Sequence, residues 1–477
     1  MAAIVPSRPV YGDSLLEQRR NQMLGTAWLA WFVNYLDRTK TAALLPLIVV
    51  SLHMNKTQTG QVLFAFFIGY ALIQPVAGFA TDIIGPKKML AFSVGAFAIF
   101  TWTMALVHTP QELMLRNVLF GISQGFEVTA GSRLVATWFP RATRGRAFAV
   151  HQTAYTIAPV LVPFVAVPIA LSLHSWRWSF LIIALFGLPV LAAIDHFIQD
   201  RPERSRRVSE AELVKIFGSE ESKRQGTVLD PTQAHSNAEL PPGERVTPYR
   251  DIYLNRSVAL MFGAGFFGLL ATWGLTSWLP LYGVQQLKLP LFTAATLASA
   301  VWAGSFFGVV SGGILSDKVF GTKRTPIWLL GGIGMALAVL WASTFQRGVP
   351  LPEAYTAFFI VGFCVSWTPV GQLFAPYLAE LLTPGAVGRA LGVVVLGGML
   401  GSAVAQPLTA MLILETPTGP QYWPAFFLFA ACGVVCSLLV SAMIEPRVGR
   451  TYIGYLLSGR KEGNWAPRSA QAEPSAL

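Results

Sequence analysis

Charge is what this chain has least of. Only 12% of its 477 residues are Asp, Glu, Lys or Arg, against about 25% in a typical soluble domain. That excludes an ordinary water-soluble globular protein. Cysteine is scarce too. Cys364, Cys432 and Cys436 all fall inside apolar segments, without the spacing of a zinc site or the number a disulfide framework needs. Core filling is their expected role. There is no His/Glu cluster for a metal, and no Ser/Lys or Asp/Asp pairing of the kind an intramembrane enzyme uses. No cofactor, no metal site and no catalytic residue is therefore expected. Residues 1–22 are polar, with Arg19 and Arg20 just ahead of the first apolar segment. They lack the short apolar core and cleavage site of a signal peptide, so none is expected.

What the chain has in abundance is apolar length. It is 53% hydrophobic, with a mean hydropathy of +0.52. Windows near the roughly 20 residues needed to span a bilayer lie around 24–50, 59–82, 89–108, 111–135, 146–172 and 178–198. A second set lies around 255–283, 291–316, 326–345, 353–380, 388–414 and 422–444. The expected fold is an all-α membrane protein of twelve transmembrane helices in two pseudo-symmetric six-helix bundles. The first bundle is placed at 23–198 and the second at 254–445, with a linker at 199–253 and tails at 1–22 and 446–477.

The net charge of +11 is not a nucleic-acid signal. Lys87, Lys88, Arg141, Arg144, Arg146, Lys318, Lys323, Arg324, Arg389, Arg447 and Arg450 fall in even-numbered loops or beyond the last helix, and the odd-numbered loops are sparse. Lys/Arg excess marks the cytoplasmic side, so both tails and the linker are expected there, in a multi-pass cell-membrane protein. The linker is charged and low in aromatics, as a tether is, with Ser209–Phe217 readable as a short amphipathic helix.

Ionised groups inside an apolar span are costly. An Asp or Arg at a helix centre costs roughly 2.5–3.5 kcal/mol on insertion scales, and such residues normally face a bundle interior or a wet cavity. Asn34-Tyr35-Leu36-Asp37-Arg38 sits in the middle of the first span. Either it marks a substrate or ion pathway, or Asp37 and Arg38 neutralise each other structurally.

A repeat ties the two halves together. Gly78-Phe79-Ala80-Thr81-Asp82-Ile83-Ile84-Gly85-Pro86-Lys87-Lys88 ends the second helix. Gly313-Ile314-Leu315-Ser316-Asp317-Lys318-Val319-Phe320-Gly321-Thr322-Lys323-Arg324 ends the eighth. The first glycine of each copy suits close helix approach, the acid can meet a neighbouring helix N-terminus, and the later glycine suits a tight turn. Gly78, Asp82, Gly85, Lys87, Lys88, Asp317, Lys318 and Arg324 are expected to gate and lock a conformation. Glu380 is a further gate candidate, toward Arg389 or Lys318.

The repeated loop, twelve helices and long middle linker resemble the major facilitator superfamily over about 24–445. Within it, Asn34–Arg38 resembles the anion:cation symporter family, which includes galactonate, hexuronate and phthalate transporters. Gly69-Tyr70-Ala71-Leu72-Ile73-Gln74-Pro75, Arg133-Leu134-Val135-Ala136-Thr137-Trp138-Phe139-Pro140 and Asp200-Arg201-Pro202-Glu203 agree with it. The resemblance implies that Asp37 couples protons, that Arg38 contacts an anionic substrate or pairs with that acid, and that Tyr35 and Tyr70 hydrogen-bond in the pocket. The chemistry is compatible, because a guanidinium forks onto a carboxylate.

The chain departs from that pattern in the fourth helix. The family's second acid falls at Gln124, which cannot titrate, and its upstream arginine falls at Asn117 with Arg116 beside it. Glu127, one turn on, is the candidate replacement acid. Further pocket candidates are Arg116, Tyr155, Trp367 and Gln406, with Arg116 equally readable as snorkelling to the interface. The expected function is proton-coupled import of an organic anion, a sugar acid by resemblance, by a monomer whose partners are the anion, protons and the lipid bilayer. Exchange or export, including of an aromatic carboxylate, stays open. So does a nutrient sensor on a transporter fold, although the short tails offer no signalling domain.

Overall fold

The computed structural model describes residues 19–205, 208, 212–213, 216, 255–321, 323–371, 374–382, 384–417, 419–445 and 450–451. The helices of the first half are α1 (Arg19–Ala43), α2 (Leu45–Ser51), α3 (Lys56–Ile84), α4 (Pro86–Met104), α5 (Pro110–Trp138), α6 (Arg141–Ser172), α7 (Trp176–Leu185) and α8 (Gly187–Phe197). Those of the second half are α9 (Arg256–Gln285), α10 (Leu291–Lys318), α11 (Thr325–Ser343), α12 (Leu351–Ser366), α13 (Phe374–Leu381), α14 (Pro384–Leu412) and α15 (Trp423–Ser441). Three spans are each made of two pieces, α1 with α2, α7 with α8 and α12 with α13, which leaves the twelve spans expected. Among the described residues, eight are long and apolar enough to cross a membrane on length and composition. Large apolar side chains such as Leu185, Leu337 and Leu438 stand exposed on them. A helix satisfies its own backbone, so lipid can solvate such a surface.

The first span is not continuous, as 24–50 would have it. It breaks at Leu44, with proline at the start of α2, where the missing amide proton costs nothing. The tenth breaks between Ser366 and Phe374.

The chain divides into two compact units. One holds residues 1–41 and 69–243, the other 42–68 and 244–477. In the first, α4 packs on α5, α7 and α8, and α6 on α7. Phe97, Phe120, Trp138 and Phe180 are fully buried. Gly69 lets α3 touch α5, since a Cβ there would strike the Val118 carbonyl. Of the linker's expected helix, only Glu212, Leu213 and Ile216 are described. All three are helical and buried. The Glu212 carboxylate accepts from the backbone amides of Arg19 (3.2 Å) and Arg20 (2.9 Å), capping the open N-terminus of α1. This part of the linker is thus fixed to the first unit and is more than a tether.

In the second unit α9 packs on α14 and α15, α10 on α12, and α11 on α15. Trp278, Tyr282, Phe358 and Phe429 fill its core. Here the small residues act at close quarters, with Gly362 against the Val301 carbonyl and Gly401 against that of Phe266. The segment 42–68 belongs to this unit. Its Lys56 Nζ donates to the Ile413 carbonyl at 2.7 Å. A short hairpin follows α14, pairing 414–416 with 419–421.

Both repeat copies turn on a glycine with positive φ, +101° at Gly85 and +57° at Gly321, a region that side chains disfavour. Asp82 meets Arg133 Nη1 at 2.6 Å, and Asp317 meets Arg324 Nη1 at 2.9 Å. An acid from a later segment caps the following helix in each copy. Asp200 accepts from the Lys87 amide at 2.7 Å, and Glu445 from the Arg324 and Thr325 amides at 3.1 and 3.0 Å. The expected close approach at the first glycine is not realised. Among the described residues, nothing lies within 4 Å of where a Cβ on Gly78 or Gly313 would stand. Lys88 and Lys318 are exposed, while Lys87 Nζ reaches the Asp195 carbonyl at 2.7 Å. The side chains of Glu380 and Arg389 lie outside the described residues.

Candidate functional site

Helical periodicity decides what meets what on α1. Residues four apart share a face, whereas neighbours in sequence point about 100° apart. Asn34 and Arg38 therefore face one way, and Asp37 and Lys40 another. The Asp37–Arg38 ion pair, one of the two readings left open for this stretch, does not form. Asp37 Oδ1 instead meets Lys40 Nζ at 2.6 Å, and both side chains are sealed from solvent. Thr101 on α4 donates to Asp37 Oδ2 at 2.6 Å and accepts from Lys40 at 3.2 Å.

Arg38 lies on a different face, in a cluster contributed by four helices. Its Nε donates to Gln124 Oε1 at 3.0 Å and its Nη2 to Asn34 Oδ1 at 3.1 Å. The guanidinium carbon lies 4.4 Å from the Tyr35 ring centroid, 4.7 Å from Tyr70 and 6.0 Å from Trp31. Aromatic faces suit this weakly hydrated cation. Asn34, wholly buried, also donates to Glu127 Oε2 at 2.5 Å, and Gln124 Nε2 donates to the Asn34 carbonyl at 3.1 Å. Asn34 is thus the bridge between the cation and the acid. Glu127 is 1% exposed, and its Oε1 has no hydrogen-bond partner among the described residues. Tyr155 on α6 joins through its ring, 5.6 Å from that of Tyr35.

Of the expected pocket residues, Arg38, Tyr35, Tyr70, Tyr155 and Glu127 come together. Asp37 lies on another face of α1. Arg116 stands two turns of α5 from Gln124, about 12 Å along the axis. It donates to the Thr103 carbonyl and faces Glu112 at 3.8 Å, so its side chain serves the helix end. Trp367 and Gln406 belong to the second unit. Trp367 packs over Gly331 and donates to Ser311 Oγ at 3.1 Å. Gln406 accepts from Trp278 Nε1 at 3.0 Å and donates to the Trp273 and Ser402 carbonyls. Both are engaged in packing.

Five of these residues were not expected at the site: Lys40, Asn34, Thr101, Gln124 and Trp31. Lys40 carried a signal, as a third charge in the same span at i+3 from Asp37. Asn34 did too, at i−4 from Arg38. Thr101, on another helix, had none. Chemically, the cluster presents a buried cation with planar walls, and an acid linked to it through one amide.

A polytopic chain of twelve spans, with a repeated loop and charged side chains buried mid-helix, is built as a membrane transporter is. The chain belongs to the Major Facilitator Superfamily, whose family description matches residues 27–376. Transporters of the anion:cation symporter type are among its relatives. The hexuronate transporter of Bacillus subtilis is 24% identical over 89% of this chain and 94% of its own length. The membrane sensor protein UhpC of Escherichia coli is 26% identical over 90% and 93%. Among solved structures, a D-xylose-proton symporter superposes with a TM-score of 0.69 at 16% identity, over 90% of this chain and 99% of that one. That likeness is one of fold.

Proposed function

We propose that the protein is a secondary active transporter that imports an organic carboxylate, a sugar acid in the first instance, together with protons. The observation that carries this reading is the Arg38–Asn34–Glu127 chain. With both groups ionised, the cation and the acid balance. A carboxylate arriving at Arg38 would leave one net negative charge in a region where charge is costly, and a proton on Glu127 restores neutrality. Binding and protonation are then linked, which is what symport requires. Tyr35 and Tyr70 wall the guanidinium, and together with Tyr155 they would offer hydroxyls to a polyol acid.

Glu127 is assigned the proton in preference to Asp37. Asp37 already has a cation at 2.6 Å and is neutralised without a proton. The hexuronate transporter likeness supports a sugar acid, and the Lys/Arg bias supports cytoplasmic termini in a cell membrane. The acid pairs at Asp82 and Asp317 are assigned to gating, and the transporting unit to the monomer.

The test is uptake by proteoliposomes under an inward proton gradient, with labelled hexuronate, dicarboxylate and aromatic carboxylate. Accumulation of hexuronate that collapses with a protonophore is expected. Uptake only after preloading a counter-anion would make the protein an exchanger. The likeness to a membrane sensor favours a second reading, in which the same ligand binds but does not accumulate.

A further inference from the structure

The aromatic side of the Arg38 cluster is anchored on α6, and nothing in the transport reading uses that anchor. Trp31, Tyr35 and Arg38 follow one another on α1 at helical spacing, so they share one face. Trp31 is buried and held on three sides. Its Nε1 donates to Gln152 Oε1 at 3.1 Å. The His151 ring lies over it in a near-parallel stack, with centroids 6.0 Å apart and planes at 16°. Tyr35 meets it edge to face, 5.0 Å between centroids. His151 fits there because α5 has a glycine opposite. A Cβ on Gly131 would stand 3.2 Å from His151 Nε2. One turn earlier on α1, Trp28 Nε1 donates to Thr153 Oγ1 at 2.9 Å. Two indoles of α1 are thus tied to consecutive residues of α6.

An indole has a single polar atom, its N–H, and it can only donate. Buried, that donor needs an acceptor, or its desolvation goes uncompensated. Gln152 supplies the acceptor, and the bond fixes which way the ring is turned. So fixed, Trp31 backs Tyr35, whose own ring stands 4.4 Å from the Arg38 guanidinium carbon, and lies 6.0 Å from that carbon itself. We propose that Gln152 is a positioning residue for the carboxylate site. It acts through Trp31, and Trp31 through Tyr35 and the guanidinium, without contact between Gln152 and the substrate. The inference rests on the reading of Arg38 as the carboxylate anchor and is independent of the role given to Glu127.

The experiment measures uptake of radiolabelled glucuronate by proteoliposomes holding wild type, Gln152→Leu, Trp31→Phe or the double variant. Gln152→Leu is expected to raise KM roughly tenfold while the maximal rate is kept. A lesion of packing alone would lower the active fraction, and so the maximal rate, at unchanged KM. Trp31→Phe is expected to raise KM by a similar factor. Adding Gln152→Leu to it should then move KM by less than about twofold, because the acceptor no longer has a donor to hold. The double variant strands no N–H, so its comparison with Trp31→Phe stands even where Gln152→Leu alone does not fold. The proposal is overturned if Gln152→Leu or Trp31→Phe leaves KM at the wild-type value. It is equally overturned if Gln152→Leu raises KM as much in the Trp31→Phe background as in wild type, which would put Gln152 on the substrate itself. A wild type that takes up no carboxylate would overturn the reading of Arg38 and this inference with it, whereas wild-type uptake with the wrong pattern of KM overturns this inference alone.

Discussion

Asp37 and Glu127 are both buried to 1% exposure in the same unit, yet they are differently placed. Asp37 has an ammonium at 2.6 Å and a threonine hydroxyl at 2.6 Å. Glu127 has a neutral amide on one oxygen and no hydrogen-bond partner for the other among the described residues. Burial alone therefore does not single out a working acid. A fixed cation at contact distance makes an acid part of the scaffold. An acid joined to a cation only through an amide remains able to respond when that cation takes a new partner.

The comparison can be broken most sharply at the scaffold. Asp37→Asn strands Lys40, and an unpaired buried charge costs about 3–5 kcal/mol, so a large fall in melting temperature is expected. Asp37→Asn/Lys40→Met should recover most of it. A single variant as stable as wild type would mean that the pair does not hold the unit together. On the Arg38 face of α1, Arg38→Lys keeps the charge but loses the fork that bonds Gln124 and Asn34 together. Carboxylate affinity should drop roughly 10–100-fold in equilibrium binding, with little change in melting. Unchanged affinity would remove Arg38 from the site.

Smaller effects should follow at the edges of the unit. Glu212→Ala uncaps α1 and should cost about 1 kcal/mol. Protease nicking of the linker at a lower concentration would report the loss. Asp82→Asn breaks a partly exposed ion pair with Arg133, worth about 0–1 kcal/mol. Stability should barely move while the transport rate changes. A rate equal to wild type would leave the repeat loop without a gating role.

The fold was readable because its cause is compositional. A long apolar run must be a helix in lipid, and the turn glycines of the repeat, Gly85 and Gly321, do sit at positive φ. The site was half readable. Asn34–Arg38 stood out as charge where charge is costly, and Glu127 stood out against the resemblance at Gln124. What misled was adjacency. Asp37 and Arg38 are neighbours in the chain, but the helix turns them onto different faces, about 100° apart. The i+3 partner Lys40 and the i−4 partner Asn34 decide their surroundings. Thr101 and the linker's Glu212 were beyond reach, since each acts on a helix distant in sequence. The break at Leu44 did carry a sign, Pro46 two residues on, which the length of the apolar window masked.

Proton coupling is assigned to Glu127 above all. Its most direct test is Glu127→Gln in proteoliposomes, compared for gradient-driven accumulation and for counterflow of a labelled sugar acid. Glutamine can keep the bond from Asn34 but cannot exchange a proton in this role. The account predicts that accumulation is lost while counterflow persists. Full protonophore-sensitive accumulation by the variant would contradict it and move the proton to another group.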